Sequence, residues 1–150
     1  MDEALSPERT RGLEALLDTL IPPSADGALP GAGEVGLAMV LAEQAPELAP
    51  LIEGALTALD ARAAERGAAG FADLRPEDRA ELLVAHAETD PTLLPGLLFR
   101  TYTSYYQQRD VILALGLEHR PPHPEGYTLE PTDPARLDGV RQRPRLYREA

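Results

Sequence analysis

Leucines at 13, 16, 17 and 20 recur at the three- and four-residue spacing of one helical face, and the pattern stops at Pro22-Pro23. Ser6 is a suitable N-cap for this helix, with Pro7 at its first position and Glu8 facing the positive end of the helix dipole. Ser24 to Gly33 then reads as a turn-rich loop, and a helix is predicted to resume over Val35 to Glu43. Pro46 or Pro50 opens the next helix. Its buried stripe is Leu51, Ile52, Ala55, Leu56 and Leu59, and Gly67 and Gly70 close it. Phe71 and Leu74 serve as anchors that pin the following linker to the core. Pro76 starts a short helix with Leu82 and Leu83 inward, and Asp90-Pro91 is a cap and first-position pair for a helix carrying Leu97, Leu98, Phe99, Tyr102 and Tyr106. A last short helix is predicted from Asp110 to Leu115, ended by Gly116.

No segment alternates apolar and polar residues between hairpin turns, so the predicted fold class is all-α: a compact helical bundle over residues 1–116. Residues 117–150 differ. Pro121, Pro122, Pro124, Pro131, Pro134 and Pro144 discourage regular helix, yet Tyr127, Leu129, Leu137, Leu146 and Tyr147 are spaced through the segment as anchors. A packed arm, an arm ordered by a partner and a partly disordered tail all fit this pattern. The aromatics favour a mostly irregular arm packed on the bundle or on a partner.

With 150 residues and a hydrophobic fraction of 43%, the chain is large enough for one real core. It contains no cysteine, which excludes disulfides, thiolate metal sites and a cysteine nucleophile. The formal net charge is −11, and every basic residue is arginine. Such a chain repels nucleic acid. The charge is uneven: residues 1–75 carry 13 acidic against 5 basic groups, and residues 76–150 carry 12 against 9. Arg141, Arg143, Arg145 and Arg148 crowd together near the end and suit either an acidic protein surface or a solvated tail. No apolar run approaches the roughly 20 residues needed to span a bilayer, so direct membrane insertion is not expected. The Met-Asp-Glu start shows no secretory signal, which gives a cytoplasmic expectation, or a periplasmic one if a signal-bearing partner carries the chain outward.

Candidate chemistry is sparse. His86 has no second ligand at a standard metal spacing, and His119 and His123 are four apart but the intervening prolines prevent a regular helix from aligning them; the ordinary reading of all three is a surface or interface histidine. Ser104, beside Tyr105 and Tyr106, has no nucleophile-elbow context and reads as a structural hydroxyl. Tyr102 and Tyr106 share a helical face that Tyr105 does not, so one face packs internally while another meets a partner. Asp18, near a helix C-terminus, sits in a poor electrostatic position and is expected to accept hydrogen bonds from loop amides after Pro22. Gly31-Ala32-Gly33 lacks the third glycine of a dinucleotide fingerprint and the Gly-Lys-Ser/Thr end of a phosphate loop; its glycines permit close backbone approach.

The segment Leu13-Glu14-Ala15-Leu16-Leu17-Asp18-Thr19-Leu20-Ile21-Pro22, followed by Pro30-Gly31-Ala32-Gly33-Glu34-Val35-Gly36, resembles the gluconate 2-dehydrogenase subunit 3 family. Leu56 to Asp60, Gly70 to Leu74 and Glu81-Leu82-Leu83 follow in the expected order, so the resemblance covers most of residues 10–115. Asp18, Thr19, Leu20, Ile21, Pro22, Gly31, Phe71 and Leu74 are its structural signature. The resemblance implies a helical, chaperone-like accessory subunit without catalytic, cofactor-binding or metal-binding residues of its own. Its implied partner is a large flavoprotein of the glucose-methanol-choline (GMC) type, which holds FAD and oxidises a sugar or alcohol. A cytochrome subunit of the same complex is a further implied partner. The chain departs from the family in lacking an export signal and in having no Trp-containing end after the tyrosine-rich helix.

The expected partner surface combines Tyr105 with Tyr127, Tyr147 and the cluster Arg141, Arg143, Arg145 and Arg148. Two other readings stand beside it. A stand-alone ligand-binding protein or enzyme calls for a deep pocket with convergent polar groups, and a self-associating structural protein calls for a symmetric apolar interface.

Overall fold

Ser6 caps the first helix as its side-chain oxygen accepts from the Arg9 amide at 3.3 Å, and Pro7 occupies the position where a missing N–H costs nothing. The computed structural model describes residues 6–120 and 133–144. Helices are α1 (Pro7–Leu20), α2 (Leu37–Gln44), α3 (Ala49–Glu65), α4 (Pro76–Thr89), α5 (Leu93–Tyr105), α6 (Arg109–Ala114) and α7 (Asp138–Arg141). Single 3₁₀ turns lie at Pro46–Leu48, Phe71–Asp73 and Pro134–Leu137. No strand occurs among the described residues, so the fold is all-α.

The chain divides into two units, residues 1–119 and 120–150. In the first, α1 is the central element: it packs against α2, α3, α4 and the Phe71 turn, while α2 and α3 also meet α5. Leu13, Leu16 and Leu17 are at most 1% exposed, as the spacing predicts. They join Leu37 of α2, Leu56 and Leu59 of α3, Phe71, and Leu93 and Leu97 of α5 in one core. Each fully buried leucine or phenylalanine contributes about 2 kcal/mol of transfer free energy. α3 ends at Gly67 and α6 at Gly116, both with the left-handed backbone (φ 81° and 75°) that glycine adopts without strain.

Several element boundaries differ from the sequence expectation. Helix α2 begins at Leu37 because Gly36, with φ 73°, turns the chain immediately before it. Helix α4 is 14 residues long, not short, since nothing in Pro76–Thr89 interrupts it. Asp90-Pro91 does not open α5. Instead, Asp90 Oδ1 accepts from the Thr92 amide at 3.0 Å, forming a local turn, and α5 starts at Leu93 with Pro95 harmless in its first turn.

In the second unit, Asp133 caps the Pro134–Leu137 turn by accepting from the Ala135 amide at 3.0 Å, and α7 follows as a single turn. Neither short helix contains a buried residue.

Candidate functional site

Signature residues 18–22 and Gly31 lie in a clamp at the C-terminal end of α1. Pro22 cannot continue the helix, and the chain returns through Ser24 to Leu29, held by the Ser24 amide to Leu29 carbonyl bond at 2.9 Å and by Ser24 Oγ accepting from the Leu29 amide at 2.8 Å. Pro30 to Gly33 then lies against the last turns of α1. The Gly33 amide donates to Asp18 Oδ1 at 2.7 Å, the Ala32 amide donates to the Ile21 carbonyl at 2.9 Å, and the Gly31 amide donates to Glu34 Oε2 at 3.0 Å. From the opposite side, the Tyr105 hydroxyl of α5 donates to the Pro30 carbonyl at 2.7 Å. One loop is thereby tied to two helices.

Approach is so close that side chains are excluded. A Cβ at Gly33 would overlap the Glu14 carbonyl oxygen, and one at Gly31 would overlap Asp18 Oδ1. Neither glycine has a positive φ; closeness, not backbone freedom, requires them.

Burial pushes the Asp18 carboxyl above its ordinary pKa of 3.8; the Gly33 hydrogen bond opposes this, Glu34 adds repulsion, and Arg79 attracts. Burial likewise raises Tyr105, with Tyr106 and Glu34 adding to it. These groups are directed at the protein's own backbone, so the clamp is a structural joint.

A second joint sits at the other end of α1. Arg9 reaches Asp60 at 3.0 Å, Glu53 at 3.1 Å and the Thr57 hydroxyl at 2.9 Å. Asp60 also accepts from the Phe71 amide at 2.9 Å, which holds the Phe71 turn over the core. Leu74 is partly buried against that core.

Of the residues expected at a partner surface, the structure describes Tyr105, Arg141 and Arg143. Tyr105 is 1% exposed, which corrects its expected surface role: the ring fills the core and the hydroxyl is bonded to Pro30. Arg141 is exposed and pairs with Asp138 at 3.1 Å, one helical turn away, and Arg143 is exposed just beyond α7. Tyr127, Arg145, Tyr147 and Arg148 lie outside the described residues.

His86, expected at a surface or interface, is buried on the inner face of α4, and its Nε2 has no hydrogen-bond partner among the described residues. His119 is exposed, and His123 falls outside the described residues. Among the described residues no three His, Asp or Glu side chains converge as a metal site, and no helix is long and apolar enough to cross a membrane.

The sequence reading left open which tyrosine face of α5 turns outward and assigned no role to the apolar surface of α4. Phe99 (67% exposed), Tyr102 and Tyr106 form a ridge on the outer face of α5, with the two tyrosine rings stacked at 6.3 Å. Along α4, Ala80, Val84 and Ala87 floor an open trough of about 450 Å³, walled by Thr19 and Leu20 of α1 and Leu94 of α5. The available signal was a second apolar stripe on each helix: 80, 84 and 87 on α4, flanking the buried one, and 99, 102 and 106 on α5, opposite it.

The sequence model of the gluconate 2-dehydrogenase subunit 3 family matches residues 7–119, from the start of α1 to the end of the first unit. No curated protein and no solved structure matches the chain. The match covers well over half of the sequence, and the chain belongs to the gluconate 2-dehydrogenase subunit 3 family.

Proposed function

We propose that the chain is a non-catalytic accessory subunit that binds a GMC-type, FAD-dependent sugar or alcohol dehydrogenase and supports its maturation or stability. The observation that carries this reading is the family match over the whole helical unit, because the family is named as a subunit of a dehydrogenase. The exposed apolar ridge of α5 supports it: Phe99, Tyr102 and Tyr106 offer the aromatic contact area that protein interfaces favour. FAD and the substrate pocket belong to the large subunit, and a cytochrome subunit of the same complex receives the electrons. Residues 117–150 add to the contact, with Tyr127 and Tyr147 as anchors and Arg141, Arg143, Arg145 and Arg148 pairing with carboxylates at its rim. Its compartment is that of its partner.

Purification of the tagged full chain from its native host, with mass spectrometry of stoichiometric partners and an absorption spectrum, tests the reading. The expected result is a yellow complex containing a large FAD-binding subunit. A solitary, colourless monomer or homodimer overturns it. Within a recovered complex, truncation after Leu117 tests the arm: unchanged affinity and unchanged yield of folded enzyme remove it from the interface.

A further inference from the structure

The trough along α4 has an asymmetric build. Its floor is the small apolar strip Ala80, Val84 and Ala87, with Val84 61% exposed. One wall is the apolar side of α1 and α5. The other flank carries Glu77, Glu81 and Glu88, all exposed. Only Glu81 has an ion-pair partner among the described residues, Arg66 at 3.3 Å; Glu77 and Glu88 have none. The rail from 77 to 88 runs about 16 Å, or three helical turns.

Two physical features define the occupant. The backbone groups of Ala80 and Val84, in the middle of α4, are committed to its own ladder, and the lining Thr19 hydroxyl is spent on the Ala15 carbonyl at 2.7 Å. The middle of the floor therefore offers no hydrogen bonds to an incoming backbone. An extended strand would leave its amides and carbonyls unmatched on that side, whereas a helix arrives with them satisfied. The rail is negative, so the edge lying along it must be positive. A second copy of this α4 would place glutamates against glutamates.

We propose that the α4 trough receives an amphipathic helix of the dehydrogenase partner, its apolar face on Ala80, Val84 and Ala87 and its Lys/Arg edge along Glu77, Glu81 and Glu88. The inference rests on the accessory-subunit reading for the identity of the partner.

The test uses the full chain in its native host, with the photo-crosslinker p-benzoylphenylalanine placed at Val84 and, in a second variant, at Tyr102. The expected adduct from position 84 maps to a partner segment with apolar residues at three- and four-residue spacing and Lys/Arg along one edge. The double variant Glu77→Gln and Glu88→Gln, which leaves the core untouched, is expected to lower partner retention about tenfold at low salt and to flatten its salt dependence. The proposal is overturned if position 84 crosslinks to a second copy of this chain, to residues 120–150 or to a segment without a basic edge. It is overturned equally if position 84 gives no adduct while position 102 captures the flavoprotein, an outcome that leaves the accessory reading standing. If wild-type chain recovers no flavoprotein at all, both fall.

Discussion

The loop clamp and the outer faces of α4 and α5 use similar residues to opposite ends. At the clamp, Asp18, Tyr105 and the amides of Gly31, Ala32 and Gly33 all find partners within the chain. On α4 and α5, Val84, Phe99, Tyr102 and Tyr106 stay exposed, and Glu77 and Glu88 keep no ion partner among the described residues. Tyr105 and Tyr106 are sequence neighbours with rings 5.2 Å apart, yet one is buried and the other half-exposed. The comparison teaches that the most recognisable motif marks an internal joint, whereas the exposed apolar faces of α4 and α5 carry little sequence signature.

The largest way to break this contrast is at Gly33. Gly33→Ala forces a methyl into the Glu14 carbonyl, and urea unfolding is expected to show a loss of about 3 kcal/mol. Gly54 of α3 is the matched control: nothing lies within 4 Å of its added Cβ, and Gly54→Ala is expected to gain about 1 kcal/mol in the same assay. A stable Gly33→Ala protein would show that the loop does not sit against α1 as described.

Next in size is the hydroxyl at the other side of the clamp. Tyr105→Phe removes the bond to the Pro30 carbonyl and is expected to cost about 1 kcal/mol in thermal or urea unfolding. Tyr102→Phe removes an exposed hydroxyl and is expected to leave stability within about 0.5 kcal/mol of wild type. Equal effects at 102 and 105 would erase the distinction between joint and surface.

The smallest effect is in pH dependence. Burial raises the Asp18 pKa above 3.8, so the folded protein holds that proton more tightly than the unfolded chain does. The contribution of Asp18 is therefore fully favourable below pH 3.8, declines as pH climbs from 3.8 to the raised folded value, and is level above it. Asp18→Asn keeps an acceptor for the Gly33 amide and cannot ionise. Its stability relative to wild type is expected to rise across that acidic window and then stay constant, measured by unfolding at a series of pH values. A difference that fell with pH would mean that hydrogen bonding, not burial, dominates at Asp18.

Much of the fold was legible in advance for local reasons. Ser6-Pro7, Pro22-Pro23, Gly67, Pro76 and Gly116 act on their own backbone, so they place helix ends without reference to anything distant. The Asp18 contact was also readable, because a carboxylate at a helix C-terminus followed by a glycine-containing loop has few other partners. Tyr105 was not. Helical spacing separates its face from that of Tyr102 and Tyr106 but does not say which face turns inward.

The sequence by itself determined the all-α class, the helix ends at Ser6-Pro7, Pro22-Pro23, Gly67, Pro76 and Gly116, the α1 leucine stripe and the family, since each depends on spacing or on a residue's own backbone chemistry. The tertiary structure alone decided which face of α5 turns inward. Helix α5 carries two apolar stripes, and only the positions of α2 and α3 choose between them. It also decided that Pro30 lies under a hydroxyl 75 residues further along the chain. Such contacts are set by the sum of packing choices across the bundle, and no local window of sequence contains that sum.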